Sequence, residues 1–76
     1  MARYRVGELA RLSGVSPRTI DFYTNRGLLE PAARSEGGHR FYGAEAPRQV
    51  RAIKALQASG LSLEAARDLA GLLGRR

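Results

Sequence analysis

The sequence predicts a mainly α domain of four short helices, with one small two-stranded β-hairpin between the second and third. Three observations predict it. Apolar residues recur at helical spacing in blocks that glycines bound and Ser or Pro start signals open. One stretch, residues 33–42, breaks that period and centres on the pair Gly37-Gly38. The whole chain is only 76 residues long. A chain of that size buries roughly 60% of its unfolded surface, enough for one thin core and a single domain over 1–76.

Tyr4-Arg5-Val6 reads as a short extended lead-in. Val6, Leu9, Ala10 and Leu12 then give an amphipathic helix that Gly14 stops. Ser16-Pro17 is a helix start with two causes, an N-cap hydroxyl and a proline at the first helical position. The second helix runs through Arg18, Ile20, Tyr23 and Asn25 to Gly27, a left-handed C-cap position. Two short helices joined by a tight turn at Gly14-Val15 make a helix-turn-helix over about 6–27.

In 33–42, Ala33-Arg34-Ser35 and His39-Arg40-Phe41-Tyr42 read as two strands around the glycine pair. An isolated hairpin is marginal in water, so this one must lean on the helices as a wing. The next helix covers about 44–59, with Ala46, Val50, Ile53, Leu56 and Gln57 on period and Pro47 confined to its first turn. Gly60 ends it. Ser62 caps the last helix, about 62–73, whose stripe is Leu63, Ala66, Leu69, Ala70 and Leu73. Glu64 in its first turn suits the helix dipole. Gly74-Arg75-Arg76 reads as a frayed end.

Charge narrows the function. Thirteen basic against seven acidic residues give +6, and arginine supplies all the cations but Lys54. Arginine forks phosphates and guanine edges bidentately, which suits a nucleic-acid footprint. With zero cysteines, disulfides, thiolate zinc sites and cysteine nucleophiles are excluded, and the lone His39 makes no polyhistidine metal site. No cofactor and no metal are expected. No apolar run approaches membrane-span length and no secretory signal opens the chain, so the expected location is cytoplasmic.

Arg18 and Thr19 lie in the first turn of the second helix, where a recognition helix faces base edges. Read alone, Arg18 is better explained as a solvated arginine on a capped helix; the wing and the net charge reverse that in favour of DNA. Tyr23 covers the core with its ring while its hydroxyl can reach a phosphate. Phe22 is either exposed to a thymine methyl or tucked under the wing, and packing is the expected case. On the second wing strand Phe41 points inward and alternates with His39, Arg40 and Tyr42, with Arg34 on the partner strand. These suit a phosphate or groove contact, against the plainer role of edge charges that block aggregation. Asp21 follows Arg18 by three residues, so it either orients that arginine or accepts from a cytosine amino group. A weak surface pair is the plain alternative. Ser16, Asp21 and His39 hold the atom types of a triad, but Ser16 is spent as a cap and nothing orients His39. An enzyme is not expected.

The blocks Tyr4-Arg5-Val6-Gly7-Glu8-Leu9-Ala10 and Gly14-Val15-Ser16-Pro17-Arg18-Thr19-Ile20 resemble the N-terminal DNA-binding domain of MerR-family transcription regulators. Phe22-Tyr23, Gly27-Leu28-Leu29, Gly38-His39-Arg40-Phe41-Tyr42 and Gly60-Leu61-Ser62-Leu63-Glu64 continue the resemblance in order and spacing. It implies a winged helix-turn-helix with its second helix in the major groove. A wing at 33–42 and a second wing-like contact before Ser62 are implied with it. By the same resemblance Arg18 and Thr19 approach bases, while Ser16, Tyr23, Arg34, His39, Arg40 and Tyr42 approach phosphates or the groove flank. Asp21 and Thr24 depart from the Arg and Glu usual there. Family members generally continue into a dimerising coiled-coil helix and an effector domain. This chain is therefore expected to be a DNA-binding fragment or a stand-alone member without a sensor site.

The leading reading is sequence-specific binding of double-stranded DNA in transcription regulation. Two others stand beside it: an excisionase-like architectural factor, and a protein-interaction module for an acidic partner or an RNA-polymerase subunit. The free chain is expected to be a monomer, with a dimer or side-by-side assembly open on DNA or in a longer protein.

Overall fold

Residues 3–73 are described by the computed structural model. Their order is β1 (Tyr4–Arg5), α1 (Val6–Ser13), α2 (Pro17–Asn25), β2 (Ala33–Arg34), β3 (Arg40–Tyr42), α3 (Ala46–Ala58) and α4 (Leu63–Leu73). The expected frayed end at 74–76 lies outside the described residues, as do the side chains of Ala70 and Leu73.

Side-chain and backbone caps set the helix ends. At Gly14 the backbone turns left-handed, with φ 73°, which a residue without Cβ adopts at little cost. The Val15 and Gly14 amides then donate to the Ala10 and Arg11 carbonyls at 3.0 and 3.4 Å, closing α1 in a Schellman pair. Two residues later Ser16 Oγ accepts the Thr19 amide at 3.2 Å, and Pro17 supplies the preset φ at the first position of α2. The turn between the two helices is therefore written in four consecutive residues, Gly14 to Pro17. Ser62 repeats the cap on α4, accepting the Ala65 amide at 3.2 Å.

The sheet has three strands where the sequence predicts two. Tyr4 and Arg5 pair antiparallel with Tyr42 and Phe41, so the lead-in is itself a strand and the order is β1-β3-β2. The hairpin proper pairs Ala33 with Phe41 and Arg34 with Arg40. Its tip is a three-residue loop. The Gly38 amide donates to the Ser35 carbonyl at 3.0 Å, and Ser35 N to the His39 carbonyl at 2.9 Å. Of the glycine pair only Gly38 takes positive φ, 83°, as a type I turn followed by a left-handed residue requires.

One core joins the parts. Leu9 and Ala10 of α1, Ile20 and Tyr23 of α2, Ala46, Val50 and Ile53 of α3 and Ala66 of α4 are buried together. Leu28 and Leu29 fold in from the loop after α2, and Tyr42 enters from the sheet. Leu63 packs on this cluster half-buried, but Leu69, expected on the same stripe, is exposed. Lys54 on α3 donates to the Gly14 carbonyl at 3.4 Å and ties the helix-turn-helix to the body.

Candidate nucleic-acid interface

The helical repeat divides α2 into three stripes. Ile20 and Tyr23 face the core. Asp21 and Thr24 face β3, each through a direct side-chain contact. Arg18, Phe22, Asn25 and Arg26 are left exposed on the outside, Arg26 standing just past the helix end. No hydrogen bond or ion pair engages the Arg18 side chain among the described residues, so its fork is available. Phe22 is 39% exposed and is not tucked under the wing as expected. The Arg26 guanidinium covers its ring instead, 4.9 Å from the centroid, because residues four apart on a helix are neighbours.

Several expected contacts are already engaged within the protein. Thr19 is half-buried, and its hydroxyl lies 3.0 Å from the Ser16 hydroxyl, inside the cap. Tyr23 is buried and its hydroxyl donates to Gln57 Oε1 at 3.0 Å, across to α3. Burial holds that phenol above its ordinary value of 10.0, since the phenolate is the poorly solvated form. Asp21 does not pair with Arg18. Arg40 donates to its carboxylate from the wing.

The inward residue of the wing is Tyr42, fully buried, and not Phe41. The reason is parity. The sheet lays the face bearing Arg40 and Tyr42 against α2, and residues one apart point oppositely. Phe41 is therefore on the far face, half-buried, with the Arg5 guanidinium 5.6 Å from its ring centroid. The Tyr42 hydroxyl sits 2.7 Å from Thr24 Oγ1, which donates its own proton to the Ile20 carbonyl at 2.8 Å. Tyr42 is thus the donor, and its hydroxyl ends inside the protein. Replacing His39, Arg40 and Tyr42 together would therefore cut into the core.

Arg34 and His39 remain exposed on the wing, and Ser16 at the head of α2. With the outward stripe they make up the exposed cations and the one exposed aromatic ring of α2 and the wing. The same outward stripe also carries Asn25 and Arg26, seven and eight residues after Arg18, which the sequence reading did not single out. An open groove of about 650 Å³ separates the end of α2 from the wing and the start of α3, lined by charges of both signs that include Glu30, Arg34, Glu45 and Arg67. Among the described residues no three His, Cys, Asp or Glu side chains group as metal ligands, and no helix is long and apolar enough to cross a membrane.

Comparison with known proteins matches this geometry. Residues 4–72 fit the family model described as MerR HTH family regulatory protein. Nodulation protein NolA of Bradyrhizobium diazoefficiens is 48% identical over 61 residues, covering 80% of this chain and 26% of NolA. The HTH-type transcriptional regulator ZntR of Escherichia coli is 38% identical over 66 residues, covering 87% of this chain and 47% of ZntR. The chain thus spans less than half the length of these relatives. Among solved structures, HiNmlR, a MerR family regulator lacking the sensor domain and bound to promoter DNA, superposes with TM-score 0.79. It is 26% identical, over 97% of this chain and 60% of that one.

Proposed function

This chain belongs to the MerR family of helix-turn-helix regulatory proteins, a DNA-binding domain of transcription regulation, and we propose that it seats α2 in the major groove. The observation that carries the reading is the outward stripe of α2. Arg18 is exposed and unengaged among the described residues, next to Phe22 and Arg26 and beside a basic wing. Arg18 reads base edges, most favourably a guanine through its fork. Phe22 is placed for a thymine methyl. Arg26, Arg34 and His39 take phosphates on either side, which fixes register without specifying sequence. Thr19 and Ser16 contribute by holding the first turn of α2 in shape. The chain acts without chemistry of its own, in the cytoplasm, as a DNA-binding part or a small regulator. Contact with RNA polymerase, and pairing of copies on DNA, belong to the assembled promoter complex.

Salt separates this reading from a protein-docking module. Binding to a duplex selected from a randomised pool should weaken along a log–log slope of about −0.9 per phosphate neutralised. A scrambled duplex should bind more weakly with a similar slope. Affinity that is flat in salt, or equal on both duplexes, would reject sequence-specific DNA binding.

A further inference from the structure

We propose that Asp21 and Arg40 form a latch between recognition helix and wing that sets discrimination between cognate and random DNA. This rests on the DNA-binding reading above. Arg40 donates to Asp21 Oδ1 from β3 to α2, with its side chain 19% exposed and that of Asp21 47% exposed. One turn further along α2, Tyr42 donates to Thr24. Residues 21 and 24 share a helix face and residues 40 and 42 share a strand face, so the contacts are two rungs of one ladder. The neutral rung lies inside and fixes the spacing. The charged rung lies at the rim, beside the DNA face.

Charge gives each partner a separate reason to need the other. Arg34 stands directly opposite Arg40 across the hairpin, and like charges so placed repel. Asp21 relieves that repulsion. A bare carboxylate on the recognition helix would in turn oppose approaching phosphates, and Arg40 cancels it. Arg40 therefore acts as a positioning residue, since its guanidinium must leave Asp21 to reach a phosphate. Asp21 and Thr24, one turn apart on α2, are the two side chains of that helix that meet β3 side chains.

The variants Asp21→Asn, Arg40→Gln, their combination, and the swap Asp21→Arg with Arg40→Asp test the latch. Each is titrated on a duplex selected by the wild-type chain and on its scrambled form, across salt. Asp21→Asn frees a cation, so it should bind random DNA more tightly and steepen the salt slope by about 1. Its ratio of cognate to random affinity should fall about tenfold, within the range of contacting-pair couplings. Arg40→Gln should weaken binding to both duplexes and also lower the ratio. The double variant should be less impaired in ratio than the two effects added, and the swap should recover most of it. Circular dichroism follows folding, and Arg40→Lys stands in if Arg40→Gln unfolds, with a smaller loss of ratio. A folded swap as poor on both duplexes as Arg40→Gln makes Arg40 a phosphate contact and overturns the latch. Additive single effects overturn it as well. A wild-type chain that binds neither duplex rejects the DNA reading itself, before any variant is compared.

Discussion

Ser13 closes α1 with its side chain buried and its Oγ without a hydrogen-bond partner among the described residues. A desolvated, unpaired hydroxyl is a cost that alanine removes, and alanine is also the better helix former. Ser13→Ala should therefore be neutral or stabilising by up to about 1 kcal/mol in a denaturant titration. A clear loss would show that the hydroxyl has a partner. Tyr23→Phe should cost about 1 kcal/mol through the lost bond to Gln57. It should also change the alkaline limb. The Tyr23 phenol is held above 10.0 by burial, so the folded state keeps its proton longer than the unfolded chain. That contribution is intact below pH 10 and is lost as pH rises through the raised value. Thermal melts above pH 10 should fall less steeply in Tyr23→Phe than in wild type. For Arg18→Ala, a loss of roughly 1–3 kcal/mol on the cognate duplex is expected, with preference relaxed at one or two base pairs. Equal losses on a scrambled duplex would demote Arg18 to a phosphate contact. At this scale the sequence showed which side chains carry chemistry but not where they point. Asp21 has a cation three residues away along its own helix and another nineteen residues away on the wing. Only the fold decides between them.

Helix starts and stops were legible because each rests on local chemistry. Ser16-Pro17, Gly14, Gly27 and Ser62 act within one turn of themselves, and all four fall where the periodicity places them. β1 was not legible. Two residues show no alternation, and their pairing partner lies some 37 positions on, at Tyr42 and Phe41. Wing parity failed for a related reason. Strand period says that Phe41 and Tyr42 oppose each other, but the helix the sheet lands on chooses the buried one. That choice changes how the wing must be tested. Arg34→Ala with His39→Ala removes two exposed side chains, and should weaken cognate and scrambled DNA alike while circular dichroism stays unchanged. Unaltered affinity would take the wing off the DNA. Tyr42→Ala, by contrast, should unfold much of the domain, since emptying a large buried aromatic costs about 3–5 kcal/mol. That is a large share of a small domain's total stability.

Across the whole molecule the largest share of the +6 charge lies along α3, where Arg48, Arg51 and Lys54 are all exposed and no acidic residue offsets them, whereas Arg18 and Asp21 cancel within α2. Leu61, Leu69 and Leu72, just before and along α4, stand exposed. The fold and the overall charge were therefore readable from residue types, whereas the division of arginines into free and occupied was not. The principal extents are 37, 27 and 19 Å. The longest is close to one helical turn of B-form duplex, about 34–36 Å or roughly 10 base pairs. A single copy then covers about one turn in hydroxyl-radical cleavage, whose small reagent reads the contact itself. A protected tract of two turns would count two copies on the duplex, whatever the free chain's mass in solution. The length of the footprint thus serves as a ruler for stoichiometry, read directly from a cleavage ladder.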